Sequence, residues 1–296
     1  MRQQAVELYK QGVAIREIAR QLNRPYGTVH YWITKSIPKK DFIDPNEPQT
    51  IFVIPDTQVK NGVGLDYIHW IGNYIKHKKP PIIVQIGDWY DMEALSSYDK
   101  GKKRAEGKRF INDINAGNKA LEVLESYIDY KPRKVFTLGN HCQRIDRYVE
   151  ENPEFEGLIG TDQLAFNKHG WEVYPFLKPV CISGIYFVHY LANPMSGKPL
   201  GGSALSRLNR FGDSFVMGHQ QTLDIAYRQT PLSQKHQIGI VAGACYEHDE
   251  DYKGYQGNVH FRGCVMLYEC KDGSAYAKPV PLDYLKRFYE KTCIQK

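Results

Sequence analysis

Five times along this chain a short apolar run stops at a side chain able to bind a metal. "TIFVIPD" ends in Asp56-Thr57-Gln58, and "PPIIVQIGD" ends in Asp88, with Asp91 three residues on. "RKVFTLGN" ends in Asn140-His141, with Arg144 beyond; "YFVHY" carries His189; "DSFVMGH" delivers His219, with Gln221 two residues later. Helical patterns separate the first three runs. "GLDYIHWIGNYIKHK" puts Leu65, Ile68, Ile71 and Ile75 on one face, and residues 108–129 put Phe110, Ile111, Ile114, Leu121 and Leu124 inward. A β-α-β-α-β opening implies an α/β core with parallel strands. The second half is richer in strand patterns: "WEVYPF", "PVCISGIYFVHY", "DSFVMGH", "QIGIVAG" and "FRGCVMLYE". In open α/β sheets, functional groups gather beyond the carboxyl ends of the strands. One Asp after a strand is commonly a turn residue or a helix cap; five metal-competent ends in order restrict the fold far more.

The order D-x-[H]…GDxxD…GNH…H…GHx[H] resembles the calcineurin-like metallophosphoesterase superfamily over residues of about 50–270. The resemblance implies a four-layer α-β-β-α sandwich with a two-metal site at the strand ends. Asp88 would bridge two divalent ions. The second ion would also take Asn140, His189 and His219; the first would take Asp56, Gln58 and Gln221. His141 would not bind metal but act near the leaving oxygen. Arg144 would reach a phosphate oxygen or pair with a nearby carboxylate.

Three departures bear on the chemistry. Both side histidines of the first ion's set are glutamines, Gln58 and Gln221; Cys142 follows His141; and no arginine follows Asp91, where phosphatase members that hold a phosphomonoester carry DRG. The last departure moves weight toward phosphodiesters and the nuclease branch. Amide oxygens are harder and weaker donors than imidazole. An asymmetric pair is therefore expected, with Mn²⁺ the leading cation and Mg²⁺ an option at the Gln58/Gln221 position.

The net charge of +6 is not spread evenly. Residues 1–40 hold eight Lys and Arg against Glu7 and Glu17, so the whole excess lies there. In the same stretch Ala5, Val6 and Tyr9, then Ile15, Ile18, Ala19 and Leu22, then Val29, Trp32 and Ile33 recur at helical spacing, with Pro25 suited to open a third helix. Three short helices resemble a helix-turn-helix whose last helix enters the major groove. Tyr26, Thr28, His30, Tyr31 and Lys35 would face DNA, and Arg20, Arg24, Lys39 and Lys40 would meet phosphates. The other reading is a helical cap on the main domain. The expected division is a module at 1–36, a proline-bearing linker at 37–49 and the phosphoesterase-like domain at 50–296.

Lower-weight candidates are Asp91, Lys102, Lys103 and Arg104, the last three in "KGKKRAEGKR", and His260, as substrate contacts. The bland reading of the basic run is a solvated loop. "GKPLGGSALSRLNRFGD", residues 197–213, reads as a glycine-rich lid or substrate loop.

Six scattered cysteines with no CxxC pair argue against a disulfide framework or a structural zinc site. No apolar run is long enough to span a bilayer, and the polar first residues do not read as a secretory leader. The expectation is a cytoplasmic, metal-dependent phosphodiesterase, a DNA nuclease brought to DNA by its first module. The architecture resembles proteins of tailed bacteriophages, which would place it in a host cytoplasm. The alternatives are a phosphomonoesterase on nucleotides or nucleic-acid ends, and a DNA-binding protein whose phosphoesterase fold is catalytically weak.

Overall fold

The computed structural model describes residues 1–11, 13–36, 47–232, 234–250 and 253–293. Most of the expected linker, with Lys39 and Lys40, lies outside the described residues.

The first module is three helices: α1 (Arg2–Lys10), α2 (Ile15–Gln21) and α3 (Tyr26–Ser36). Ala5, Ile15, Ile18, Ala19, Val29 and Ile33 close a core of their own, with Trp32 and Leu22 packed at its edge. Burying these six side chains is what holds helices as short as seven residues, which would be marginal alone. Pro25 sits just before α3, and its carbonyl accepts the amides of Thr28 and Val29.

The main body follows as β1 (Gln49–Ile54), α4 (Asp66–Lys78), β2 (Ile82–Gln85), α5 (Phe110–Glu125), β3 (Arg133–Thr137), α6 (Gln143–Glu151), β4 (Glu172–Tyr174), β5 (Val180–Ile182) and β6 (Ile185–Phe187). It continues with α7 (Ala204–Phe211), β7 (Phe215–Met217), β8 (Leu223–Thr230), β9 (Lys235–Ala242), α8 (Gly254–Gly257), β10 (Gly263–Lys271), β11 (Ser274–Pro281) and α9 (Leu282–Cys293). One sheet has the order β11-β10-β1-β2-β3-β4, the other β5-β6-β7-β9-β8. The β1-β2-β3-β4 pairings are parallel, as are β6-β7 and β7-β9.

Both faces of the central strands are covered, so their apolar runs are continuous rather than alternating. Ile51, Val53, Val84 and Val135 point between the sheets, against Phe187, Val216 and Ile240. Phe52, Ile54, Ile83 and Phe136 point the other way, toward Ile68, Ile71 and Ile75 of α4, Leu121 and Leu124 of α5, and Leu285 of α9. On the far side of the second sheet, Phe215 and Met217 pack with Ala204 and Leu208 of α7. The result is the expected α-β-β-α layering.

Several expectations need correction. The helix expected at 108–129 is tighter, at Phe110–Glu125, and Ile111 is 54% exposed rather than inward. "PVCISGIYFVHY" is a hairpin, turning at Ser183 and Gly184, both at positive φ. The stretch 197–213 is not all loop: α7 occupies most of its second half, capped by the Ser203 hydroxyl, and Arg207 within it is fully buried with its guanidinium on the Leu200 carbonyl.

Candidate metal centre

Strand ends deliver the site. Asp56, Asp88, Asn140, His189 and His219 each stand within three residues of the carboxyl end of β1, β2, β3, β6 or β7. The turns that carry them are tight: Gln58, Asp88, His219 and Gln221 all lie at positive φ, which costs non-glycine residues energy and recurs at functional sites. Glycines permit the close approaches. A Cβ at Gly87 would overlap the His189 ring, and one at Gly139 would lie 2.5 Å from the Asp88 amide nitrogen.

Ligand atoms of Asp88, His189 and His219 all lie within 4.8 Å of one another. His189 Nε2 is 3.1 Å from Asp88 Oδ2 and 2.8 Å from Asn140 Oδ1. His219 Nδ1 is 2.8 Å from the same Asn140 oxygen. These four side chains can converge on one divalent cation with a mixed oxygen and nitrogen set. His189 Nδ1 donates to the Ile86 carbonyl at 3.0 Å, which fixes the ring and leaves Nε2 as the ligand atom.

The electrostatics match. Burial opposes ionisation of Asp88, but His141 and His189 hold its carboxyl well below the usual range. Burial likewise opposes an imidazolium at His189, yet the Asp88 carboxylate raises it to about 9. Burial lowers His219 to about 4, with His189 and His141 adding to the effect. Burial pushes Asp56 up to about 6. No cationic side chain forms an ion pair with Asp56 among the described residues; its Oδ1 accepts the His219 amide at 2.9 Å and its Oδ2 the Gln221 side chain at 3.4 Å.

The two glutamines behave differently. Gln58 is buried, its nitrogen 3.5 Å from His141 Nε2, and its Oε1 has no hydrogen-bond partner. That oxygen has both lone pairs to offer an ion. Gln221 is turned the other way. Its Oε1 accepts the Tyr246 hydroxyl at 2.7 Å and the Lys253 ammonium, so only its NH₂ faces Asp56. An amide nitrogen has no lone pair for a metal, and the expected ligand role of Gln221 is not what this geometry offers.

His141 sits beside the metal-competent set without joining it. Its Nδ1 is 2.7 Å from the Asp91 carbonyl and 2.9 Å from an Asp91 carboxylate oxygen, so it carries hydrogen there. Nε2 faces inward, 3.8 Å from Asp88 Oδ2 and 3.0 Å from Arg144 Nη2. Arg144 grips the carbonyls of Asp91 and Met92 at 2.8 and 3.1 Å. Arg144 lines the cleft; among the described residues it forms no ion pair with a carboxylate, and it holds His141 and the loop after β2. Asp91, expected against substrate, is 5% exposed and engaged by His141 and by Lys60 at 3.4 Å. Burial opposes its ionisation, but His141, Lys60 and Arg144 lower it to about 2.

Asp88, Asn140, His141, Arg144 and His219 line a cleft of about 780 Å³, while Asp56 and His189 are fully buried and do not reach its surface. Lys102, Arg104 and His260 line it as expected, but Arg104 pairs with Asp99, and Lys103 lies off the cleft. Lys60, Glu250, Tyr246 and Lys253 were not legible as site residues. Lys60 ties Glu250 at 2.6 Å to Asp91 and Glu93, both at 3.4 Å, closing one wall. They follow no strand-end pattern; for Glu250, Tyr246 and Lys253 the one signal available is the density of charge and aromatics in "CYEHDEDYKGYQGNVH".

In the first module, Tyr31 is 57% exposed and Tyr26 38%; Arg20, Arg24 and Lys35 are exposed, and Thr28 and His30 half-buried. Arg20 also pairs with Glu17 at 2.7 Å. Among the described residues no helix is long and apolar enough to cross a membrane.

Among curated proteins no sequence matches this chain. Similar solved structures include a dimetal phosphatase from Danio rerio, at 11% identity over 80% of this chain and 97% of that one, with a TM-score of 0.35. A second is a conserved uncharacterised protein, a predicted phosphoesterase, from Streptococcus pneumoniae, at 9% identity over 79% of this chain and 97% of that one, with a TM-score of 0.30. Residues 1–36 match the family model of a homeodomain-like domain.

Proposed function

We propose that the protein is a metal-dependent phosphoesterase that hydrolyses phosphodiester bonds in DNA, to which its first module delivers it. The observation that carries this reading is the convergence of Asp88, Asn140, His189 and His219, from four separate strand ends, on one point at the floor of the cleft. Their donor set suits Mn²⁺ first, and Fe²⁺ or Zn²⁺ next. A bound ion there supplies an acidified water and charge to neutralise phosphate oxygens.

The chain's own groups do the rest. Asp91 orients His141 through Nδ1, so that Nε2 faces the cleft and exchanges a proton with the leaving oxygen. Arg144 locks both residues through the Asp91 and Met92 carbonyls and donates to His141 Nε2 from the cleft wall. Lys102 at the cleft edge attracts the phosphate backbone. In the first module, Tyr26, Thr28, His30, Tyr31 and Lys35 face bases and Arg20 and Arg24 face phosphates, as expected of a homeodomain-like fold.

The test is incubation of chelator-stripped full chain with supercoiled, linear and single-stranded DNA, with Mn²⁺, Mg²⁺ or chelator alone. Cleavage that requires metal and is lost in Asp88→Ala supports the reading. Metal-independent cleavage, or none on any DNA with any ion, sinks it.

A further inference from the structure

The Asp56 side of the site contains a cation that the strand-end pattern did not reveal. The Lys253 ammonium lies on Gln221 Oε1, donates to the Tyr246 hydroxyl at 2.9 Å and sits 5.6 Å from the centre of the Tyr246 ring. The amide orientation of Gln221 follows from this. Lysine only donates, so the atom facing it must be the oxygen; a flipped amide would set NH₂ against NH₃⁺. The nitrogen then faces Asp56 Oδ2 at 3.4 Å. A chain of polar contacts runs from Lys253 through Gln221 to the buried Asp56 carboxylate, aligning positive end to negative end.

This is the place where the resemblance puts the first of two divalent ions, and the residues do not fit one well. Gln221 offers hydrogens rather than a lone pair. Each oxygen of Asp56 already accepts one hydrogen bond, from the His219 amide or the Gln221 NH₂, which reduces what it can offer an ion. Asp88 is shared with the histidine-bearing set, which leaves the Gln58 oxygen as the one uncommitted donor among the four expected ligands. A dication with so few free donors would pay more in lost hydration than it regains, whereas an ammonium on a side chain needs only acceptors.

We propose that Lys253 is a tethered cation standing in for the first divalent ion, and that the protein binds a single divalent metal, at Asp88, Asn140, His189 and His219. The inference rests on the proposed metal-dependent chemistry. Lys253 supplies one positive charge to Asp56 and to an incoming phosphate, without an ion that must be recruited from solution. Gln221 and Tyr246 are positioning residues that hold it. Gln58 and Gln221, both replacing histidine in the family pattern, then form one coordinated change together with Lys253: each removes an imidazole that would compete for a second ion.

The test is metal stoichiometry in the chelator-stripped full chain, measured by calorimetric titration with Mn²⁺ and by elemental analysis after desalting, with electron paramagnetic resonance of the Mn²⁺ form. The unmodified protein is expected to bind one ion per chain and give the six-line spectrum of an isolated Mn²⁺. Lys253→Arg keeps one. Lys253→Met combined with Gln58→His and Gln221→His should bind two, with exchange-coupled signals. Lys253→Met alone keeps the Gln221–Tyr246 contact and guards against misfolding of the triple variant; it should lose affinity for inorganic phosphate about tenfold while retaining one Mn²⁺. Two ions in the unmodified protein, the second held by Asp56, Asp88 and Gln58, would overturn the inference and leave the phosphoesterase reading standing. So would a triple variant that folds and still binds one, or unchanged phosphate affinity in Lys253→Met. No bound ion at all would remove both.

Discussion

His189 meets Asp88 at 3.1 Å through Nε2 while its Nδ1 is held by the Ile86 carbonyl, so both ring nitrogens face oxygen acceptors. An imidazole so placed carries a proton on each nitrogen, consistent with its rise to about 9 despite complete burial. A histidine must be neutral, with a free lone pair on the ligating nitrogen, to bind a metal. Loading the site at pH 7.5 should therefore release about one proton from His189. Since its pKa lies above the working range, metal affinity should rise about tenfold per pH unit between pH 7 and 9 and level off above. His219, lowered to about 4, contributes nothing in this window. Titration with Mn²⁺ in buffers of different ionisation enthalpy reads the proton count. Release of none would mean that His189 is not a ligand.

In the proposed chemistry Asp91 works through His141, whose Nδ1 it holds at 2.9 Å. Asp91→Asn preserves the shape of the loop but replaces the carboxylate that fixes the His141 ring, and it weakens the hold of Lys60. Turnover on a small phosphodiester should fall by about 10²-fold, within the usual range for general acid–base groups, with KM nearly unchanged. Arg144→Lys should cost less, because it removes the grip on the Asp91 and Met92 carbonyls but not the contact between the Asp91 carboxylate and His141 Nδ1. A rise in KM with kcat intact in Asp91→Asn would return Asp91 to substrate binding.

What the sequence made legible was the part governed by local pattern. Each strand with both faces buried had to be a continuous apolar run, and each ended at its polar residue, so Asp56, Asp88, Asn140, His189 and His219 could be placed in order. The missed helix α6 exposes most of its surface and buries only Ile145, so its apolar signal was thin. The layout of Gln221, Lys253 and Tyr246 is a contact between residues 25 and 32 positions apart, set by how the wall after β9 folds over the cleft. No spacing rule carries that, and the same holds for Lys60 reaching Glu250 across 190 residues. Side-chain orientation was equally hidden: the amide of Gln221 has an oxygen, but which way it faces is decided by Lys253.

The first module should set affinity for DNA and little else. Replacing Arg20 and Arg24 with alanine removes two exposed charges and no buried contact. The slope of log K against log salt should become shallower by about 1.8 if both neutralise phosphates of duplex DNA. Tyr31→Ala on the exposed face of α3 should instead reduce discrimination between sequences by roughly 1–3 kcal/mol, if it reads a base edge. Cleavage of a small phosphodiester should be unchanged in all three positions. An unaltered salt slope in the double arginine variant would exclude a phosphate role for this face.

Gly139 gives the most local test of the site. It follows Leu138 directly beyond β3, and its Cα faces the Asp88 turn so closely that a methyl group would lie 2.5 Å from the Asp88 amide and closer still to its Oδ1. Neither atom can yield cheaply: the amide belongs to backbone already at positive φ, and the carboxylate oxygen accepts the His141 amide at 2.9 Å. Gly139→Ala should thus push the Asp88 turn away from Asn140 and His189 while leaving the strands in register. Overpacking of this kind costs about 1–3 kcal/mol, or a melting-temperature drop of several degrees in the metal-free protein. The larger effect should be on the ion, because a shift well under an ångström spoils a converging donor set: Mn²⁺ affinity should fall by about 10–100-fold. Gly62→Ala serves as control, for it too sits at positive φ but has open space around it. It should lower stability slightly and leave metal binding intact. Equal Mn²⁺ affinity in the two variants would mean that the contact between the Gly139 and Asp88 turns does not shape the metal centre.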